Sequence, residues 1–237
     1  MYGVLGMLFD LFRGNGFDFG AFFAYVIASL VIIMLILPLH ELAHGFIADK
    51  LGDPTARYMR RLTLNPFAHI DWLGAASIML FGFGWAKPVP VNMRNLNRPK
   101  RDMAIVALAG PLSNLIAAFI GMGLLFFCVK FGSPLVNSQA ARYILEFIVN
   151  FFAFFLQVNI TLAVFNLIPC PPLDGSKILM AFLPNRIYYR IMQFERYFGF
   201  ILLLLILSDV LDPILIGATS KITGWFFDFY NMIFNLI

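Results

Sequence analysis

Uncharged, mostly apolar residues run from Phe19 to Leu39 and again from Met103 to Val129, and a third run, Tyr143 to Ile168, carries only Glu146 near its start. Each reaches the roughly 20 residues that a helix rising 1.5 Å per residue needs to cross a hydrocarbon core about 30 Å thick. A fourth, Tyr197 to Leu207, continues to Ile216 through Ser208, Asp209 and Asp212. The pattern predicts four membrane spans at about 19–47, 103–129, 143–168 and 197–216. The opening MYGVLGMLFDLF is apolar but short and lacks a basic start or a small-residue cleavage site, so it reads as an interfacial helix and not a signal peptide. The closing GWFFDFYNMIFNLI is read in the same way. Phe81 to Val91, FGFGWAKPVPV, mixes small, aromatic and β-branched residues with two prolines and predicts a re-entrant, extended loop. The expected fold is an all-α polytopic membrane protein, one domain over 1–237, with no internal repeat.

Composition agrees with this pattern. Hydrophobic residues make up 61% of the 237 and charged residues 13%, about half the share of a soluble domain. Disorder and nucleic-acid binding are excluded, because the chain is too apolar for the first and gathers no basic soluble domain for the second. The 49–102 segment and the segment between the third and fourth spans hold 13 of the 17 Lys and Arg residues. Positive charge collects on the cytoplasmic side of membranes, which puts both segments in the cytoplasm and the N-terminus outside. A multi-pass protein of the plasma membrane is expected. Cys128 and Cys170 fall at opposite faces in this topology, so no disulfide joins them.

At the cytoplasmic end of the first span stands His40-Glu41-Leu42-Ala43-His44. On a helix, positions i and i+4 project from one face, so both imidazoles can bind one zinc ion while Glu41 acts on its water. The chain has three histidines and places two here, at membrane depth, where ionisable groups mark function. A catalytic zinc site takes three protein ligands. The third candidate is Asp174, in Asn166-Leu167-Ile168-Pro169-Cys170-Pro171-Pro172-Leu173-Asp174-Gly175, where prolines break the third span. The first and third spans run parallel, so His44 and Asp174 emerge at the same face; Asp174 also has the chemistry of an N-cap for the next helix.

HELAH at 40–44, GWAKPVPVN at 84–92, RPKRDMAIVALAGPLSN at 98–114 and NLIPCPPLDG at 166–175 together resemble the site-2 protease family of intramembrane zinc metalloproteases, over roughly residues 20–185. The resemblance implies one zinc per chain held by His40, His44 and Asp174, with Glu41 as catalytic base. It also implies cleavage of the membrane-spanning segments of single-span partner proteins; the charge count puts the active site toward the cytoplasm. The chain looks like the short form, without PDZ-like or CBS-like domains.

Other residues have assignable chemistry. Asn114 can donate to a developing oxyanion or make an interhelical hydrogen bond. Trp85, Val89 and Val91 lie on the extended segment that would hold an unwound substrate by backbone hydrogen bonds, with Pro88 and Pro90 leaving the N–H groups of Val89 and Val91 on one side. His69 is a rival ligand or a structural loop histidine. Cys170 is a rival ligand or a small apolar residue beside the prolines. Two other functions stay open: an aspartyl protease pairing Asp174 with Asp209 or Asp212, which leaves HELAH unexplained, and a zinc transporter or inactive scaffold, in which Glu41 would be dispensable.

Overall fold

The computed structural model describes residues 4–13, 18–81, 84–184, 186–187, 190, 197–198, 201–202, 204–205, 208 and 210–234. Its elements are helical throughout these residues: α1 (Val4–Phe12), α2 (Phe19–Val31), a π-helical turn (Ile32–Ile36), α3 (Leu37–Lys50), the short α4 (Thr55–Tyr58) and α5 (Pro66–His69), α6 (Trp72–Phe81), α7 (Pro99–Gly132), α8 (Gln139–Asn166), α9 (Asp174–Ala181) and α10 (Asp212–Phe234). Three helical stretches, Phe19–Lys50, Pro99–Leu135 and Gln139–Asn166, are long and apolar enough to cross a membrane. The expected fourth span, 197–216, falls largely outside the described residues, and its last part, from Asp212, opens α10.

Helix starts follow local chemistry. Asp18 caps α2 by accepting from the Ala21 N–H at 2.9 Å, and Ser138 caps α8 by accepting from Ala141 at 3.2 Å. Asp102 reaches back to the Arg98 N–H at 2.6 Å, which holds the start of α7. The π turn closes through the Leu37 N–H to the Ile32 carbonyl, immediately before Pro38. Proline there cannot donate to the preceding turn, and a widened turn absorbs that loss while setting the rotation at which α3 continues.

Ile32, Ile33, Ile36 and Leu37 pack with Phe155, Val158 and Leu162 of α8 and Ile78 of α6. A second cluster joins Ala118, Met122 and Phe126 of α7 to Leu156 and Ile160 of α8, with Ile222, Phe226, Tyr230 and Phe234 of α10 against it. The closing aromatic segment is therefore helical as expected, but it belongs to a 23-residue helix whose i, i+4 stripe packs on α7 and α8. Lys221 and Asp228 interrupt its apolar run in the sequence and conceal that length.

The segment expected to be a re-entrant loop is half helix and half extended. α6 is followed by residues 84–91, which lack helical structure. The two limbs touch at Gly74, where a Cβ would stand 2.0 Å from the Trp85 carbonyl oxygen, so only glycine permits the approach. Tyr25 of α2 donates to the Ile78 carbonyl at 2.7 Å and fastens the element to the bundle.

Candidate metal centre and active site

His40 and His44, one turn apart on α3, turn their Nε2 atoms toward each other at 3.1 Å. Asp174 Oδ2 lies 3.4 Å from His40 Nε2 and 3.0 Å from His44 Nε2. All three residues are buried. Zinc bonds of about 2.0 to 2.2 Å in a tetrahedron place ligand atoms about 3.3 Å apart, close to all three edges of this triangle. Tautomer chemistry points the same way. His44 Nδ1 donates to the Val106 carbonyl at 2.7 Å, so in the neutral ring the proton sits there and Nε2 presents a lone pair to the centre. Two nitrogens and a carboxylate oxygen converging in a buried space form a donor set that fits a zinc ion.

Backbone geometry makes the triangle possible. α8 ends at Asn166, and eight residues later α9 begins with Asp174. The chain folds back so tightly that a Cβ on Gly175 would lie 2.2 Å from the Leu167 carbonyl oxygen. Lys177, one turn on, donates to Asp174 Oδ1 at 3.1 Å and leaves Oδ2 facing the imidazoles. The floor of the site is the backbone of α7 at Gly110, where a Cβ would stand 2.3 Å from His44 Nε2.

Glu41 is buried beside this centre and accepts the Val89 N–H on Oε2 at 2.7 Å. The donor expected to face a substrate strand is thus engaged by the carboxylate expected to be the base. Val89 is buried, Val91 half-buried, and Trp85 is 47% exposed. Asn114 lies on α7 one turn beyond Gly110, almost fully buried, with neither amide atom hydrogen-bonded.

The rival ligands stay out of the cluster. His69, the buried last residue of α5, donates from Nε2 to the Thr63 carbonyl at 2.9 Å; burial and the nearby Arg61 charge hold the ring below the usual histidine pKa. Burial pushes the Cys170 thiol up, which disfavours the thiolate a metal needs. Sequence reasoning assigned no role to Gly110, to the Val106 carbonyl or to Asp53. A backbone oxygen has no signature in a sequence; Gly110 stood inside the AGPLSN motif, and Asp53 in Gly-Asp-Pro-Thr reads as an ordinary turn residue.

Residues 28–206 match peptidase family M50. YwhC of Bacillus subtilis, a candidate zinc metalloprotease by name, is 39% identical over 85% of this chain and 90% of its own length. Rip2 of Mycolicibacterium smegmatis, named likewise, is 29% identical over 87% of this chain and 76% of its own, and MJ0611 of Methanocaldococcus jannaschii is 30% identical over 66% and 76%. No solved structure matches. With a family match across three quarters of its length, a zinc-type donor triangle and three helices long enough to span a bilayer, the chain belongs to peptidase family M50 and is an integral membrane zinc metalloprotease.

Proposed function

We propose that the chain is an intramembrane endopeptidase that cleaves the membrane-spanning segments of single-span proteins at the plasma membrane, with its active site toward the cytoplasm. The observation that carries this reading is the buried His40, His44, Asp174 triangle, whose two histidines sit on a helix long and apolar enough to span a membrane. A substrate must come to such a site from the bilayer, and the gathering of 13 of 17 basic residues in the segments flanking it favours the cytoplasmic side.

His40, His44 and Asp174 would hold the zinc ion, whose chemistry there is to polarise the scissile carbonyl and acidify water. Glu41 takes the proton of the attacking water and returns it to the leaving amide nitrogen. The side chain of Asn114, buried and unpaired, is a donor for the carbonyl oxygen as negative charge develops on it. Trp85 and Val91 flank the unwound substrate along the extended segment. The test is cleavage of a panel of single-span proteins by the purified chain in a bilayer, with and without a zinc chelator. Cleavage that the chelator and Glu41→Gln both abolish supports the reading; cleavage that survives either one overturns it.

A further inference from the structure

Val89 lies in the middle of a segment tied down on both flanks. Before it, the Lys87 N–H donates to the His69 carbonyl at 2.8 Å, and Arg61 Nη2 donates to the carbonyls of Lys87 and Pro88 at 2.9 and 3.2 Å. After it, the Asn92 N–H donates to Asp53 Oδ2 at 2.6 Å. Pro88 and Pro90 have no N–H and fixed φ, so Val89 supplies the single backbone donor between Lys87 and Val91. That donor goes to Glu41.

Asp53 is wholly buried in the turn after α3. Its carboxylate accepts from the Thr55 N–H at 3.1 Å, from the Thr55 hydroxyl, from Asn95 Nδ2 at 2.9 Å and from the Asn92 N–H. Burial pushes its carboxyl up, but these donors hold it below the usual carboxylate range, so it stays ionised. Every donor comes from its own turn or from residues 92–95, and the carboxylate therefore joins the end of α3 to the end of the extended segment. Glu41 and Asp53 thus each accept a backbone N–H of the same extended segment, at residues 89 and 92.

We propose that Asp53 and the Val89 N–H are positioning groups for Glu41. Asp53 sets the register at which the extended segment lies against α3. At that register the Val89 N–H fixes one oxygen of Glu41 by a charge-assisted hydrogen bond and orients the other for proton transfer. A glutamate has three rotatable side-chain bonds, and a base free to rotate would spend little time within reach of the attacking water. The inference rests on the reading of Glu41 as base.

The experiment uses the full-length, zinc-loaded chain in a bilayer with one cleavable single-span substrate. Val89→Pro removes the donor; Val89→Ala keeps it and loses the same side chain. The expected kcat of Val89→Pro is about 10- to 100-fold below that of Val89→Ala, the range for losing a hydrogen bond to a charged group, with KM within about twofold and zinc content unchanged. Asp53→Asn is expected to lower kcat about tenfold, and the double variant Asp53→Asn, Val89→Pro to fall no lower than Val89→Pro alone, because both changes remove one contact. Where the proline variant fails to fold, an amide-to-ester replacement at residue 89 removes the same hydrogen atom and is expected to give the same loss against wild type. Equal kcat in the two Val89 variants, or a loss expressed in KM or in zinc content, overturns the proposal. Multiplicative effects in the double variant overturn the part assigned to Asp53. Wild-type and Glu41→Gln controls separate these results from a failure of the protease reading, which would show as no cleavage by the first or full cleavage by the second.

Discussion

Gly110 of α7 stands so close to His40 that a Cβ built on it would lie 2.6 Å from the ring's Nε2, and 2.3 Å from Nε2 of His44. The backbone of α7 is therefore one wall of the metal centre, and no side chain fits between it and the imidazoles. Gly110→Ala is expected to displace both rings and to reduce zinc per chain severalfold. Alanine favours helix by about 1 kcal/mol over glycine, so helical content should hold. Elemental analysis alongside circular dichroism checks this; zinc retained at wild-type occupancy would mean that α7 moves aside instead.

His40→Ala, His44→Ala and Asp174→Ala are each expected to lose zinc, whereas Glu41→Gln keeps it. The same four proteins assayed for cleavage should all be inactive, Glu41→Gln by about 10² to 10⁴-fold. Zinc content and activity thus part company at one position only. Full zinc occupancy in the His40→Ala, His44→Ala double variant would remove the ligand assignment.

The His40, His44, Asp174 cluster was legible because its chemistry is carried by residue type and spacing: two histidines four apart define one helical face, and a proline-broken span with an aspartate defines a second arm. Three of the four expected spans were legible from apolar runs; the fourth falls largely outside the described residues. What stayed hidden resides in the backbone. The π turn before Pro38 leaves no pattern in Ile32–Ile36, all apolar like their neighbours. The acceptor that fixes the His44 tautomer is the Val106 carbonyl, which any residue there would supply. The role of Val89 was misread because its N–H was visible in the sequence but its direction was not; the donor points to Glu41. The length of α10 was hidden by its two interior charges.

Gly175→Ala should damage the site by a different route. Its Cβ would meet backbone oxygens, 2.2 Å from Leu167 and 2.6 Å from Ile168, which cannot swing away as a side chain can. The turn must open, and Asp174 moves with it. Overpacking of this kind costs about 1 to 3 kcal/mol, so both the unfolding temperature and the zinc content are expected to fall, and thermal unfolding in detergent measures the first. A variant with unchanged stability but lost zinc would place the strain at Asp174 alone.

The pH dependence of stability should carry a contribution from His69. Burial depresses its folded-state pKa below 6.5, the ordinary value, so the folded chain keeps the ring neutral where the unfolded chain protonates it. The contribution is therefore fully present above pH 6.5 and is lost as pH falls from 6.5 toward the folded pKa. Glutamine can donate to the Thr63 carbonyl in place of Nε2 and does not titrate. Unfolding temperatures of wild type and His69→Gln, followed from pH 7.5 to 5, should converge or cross as the pH drops. Parallel curves would show that the ring is not held neutral.

The orientation of the site is open to direct measurement. The proposed orientation, drawn from the charge count, has the 49–102 segment, with the exposed Arg94, on the cytoplasmic side and the connection between α7 and α8, with Ser138, outside. Moving a loop of this charge to the other face would carry nine Lys and Arg residues against the bias that sets topology. In a chain with Cys128 and Cys170 replaced by serine, Arg94→Cys should resist a membrane-impermeant thiol reagent in intact cells and react once the cells are opened. Ser138→Cys should react in intact cells. α7 crosses the membrane between the two positions, so the same result at both would mean that one of them is shielded by the fold, and opened cells distinguish that case. Labelling of Arg94→Cys from outside would invert the chain and place His40, His44 and Asp174 on the external side.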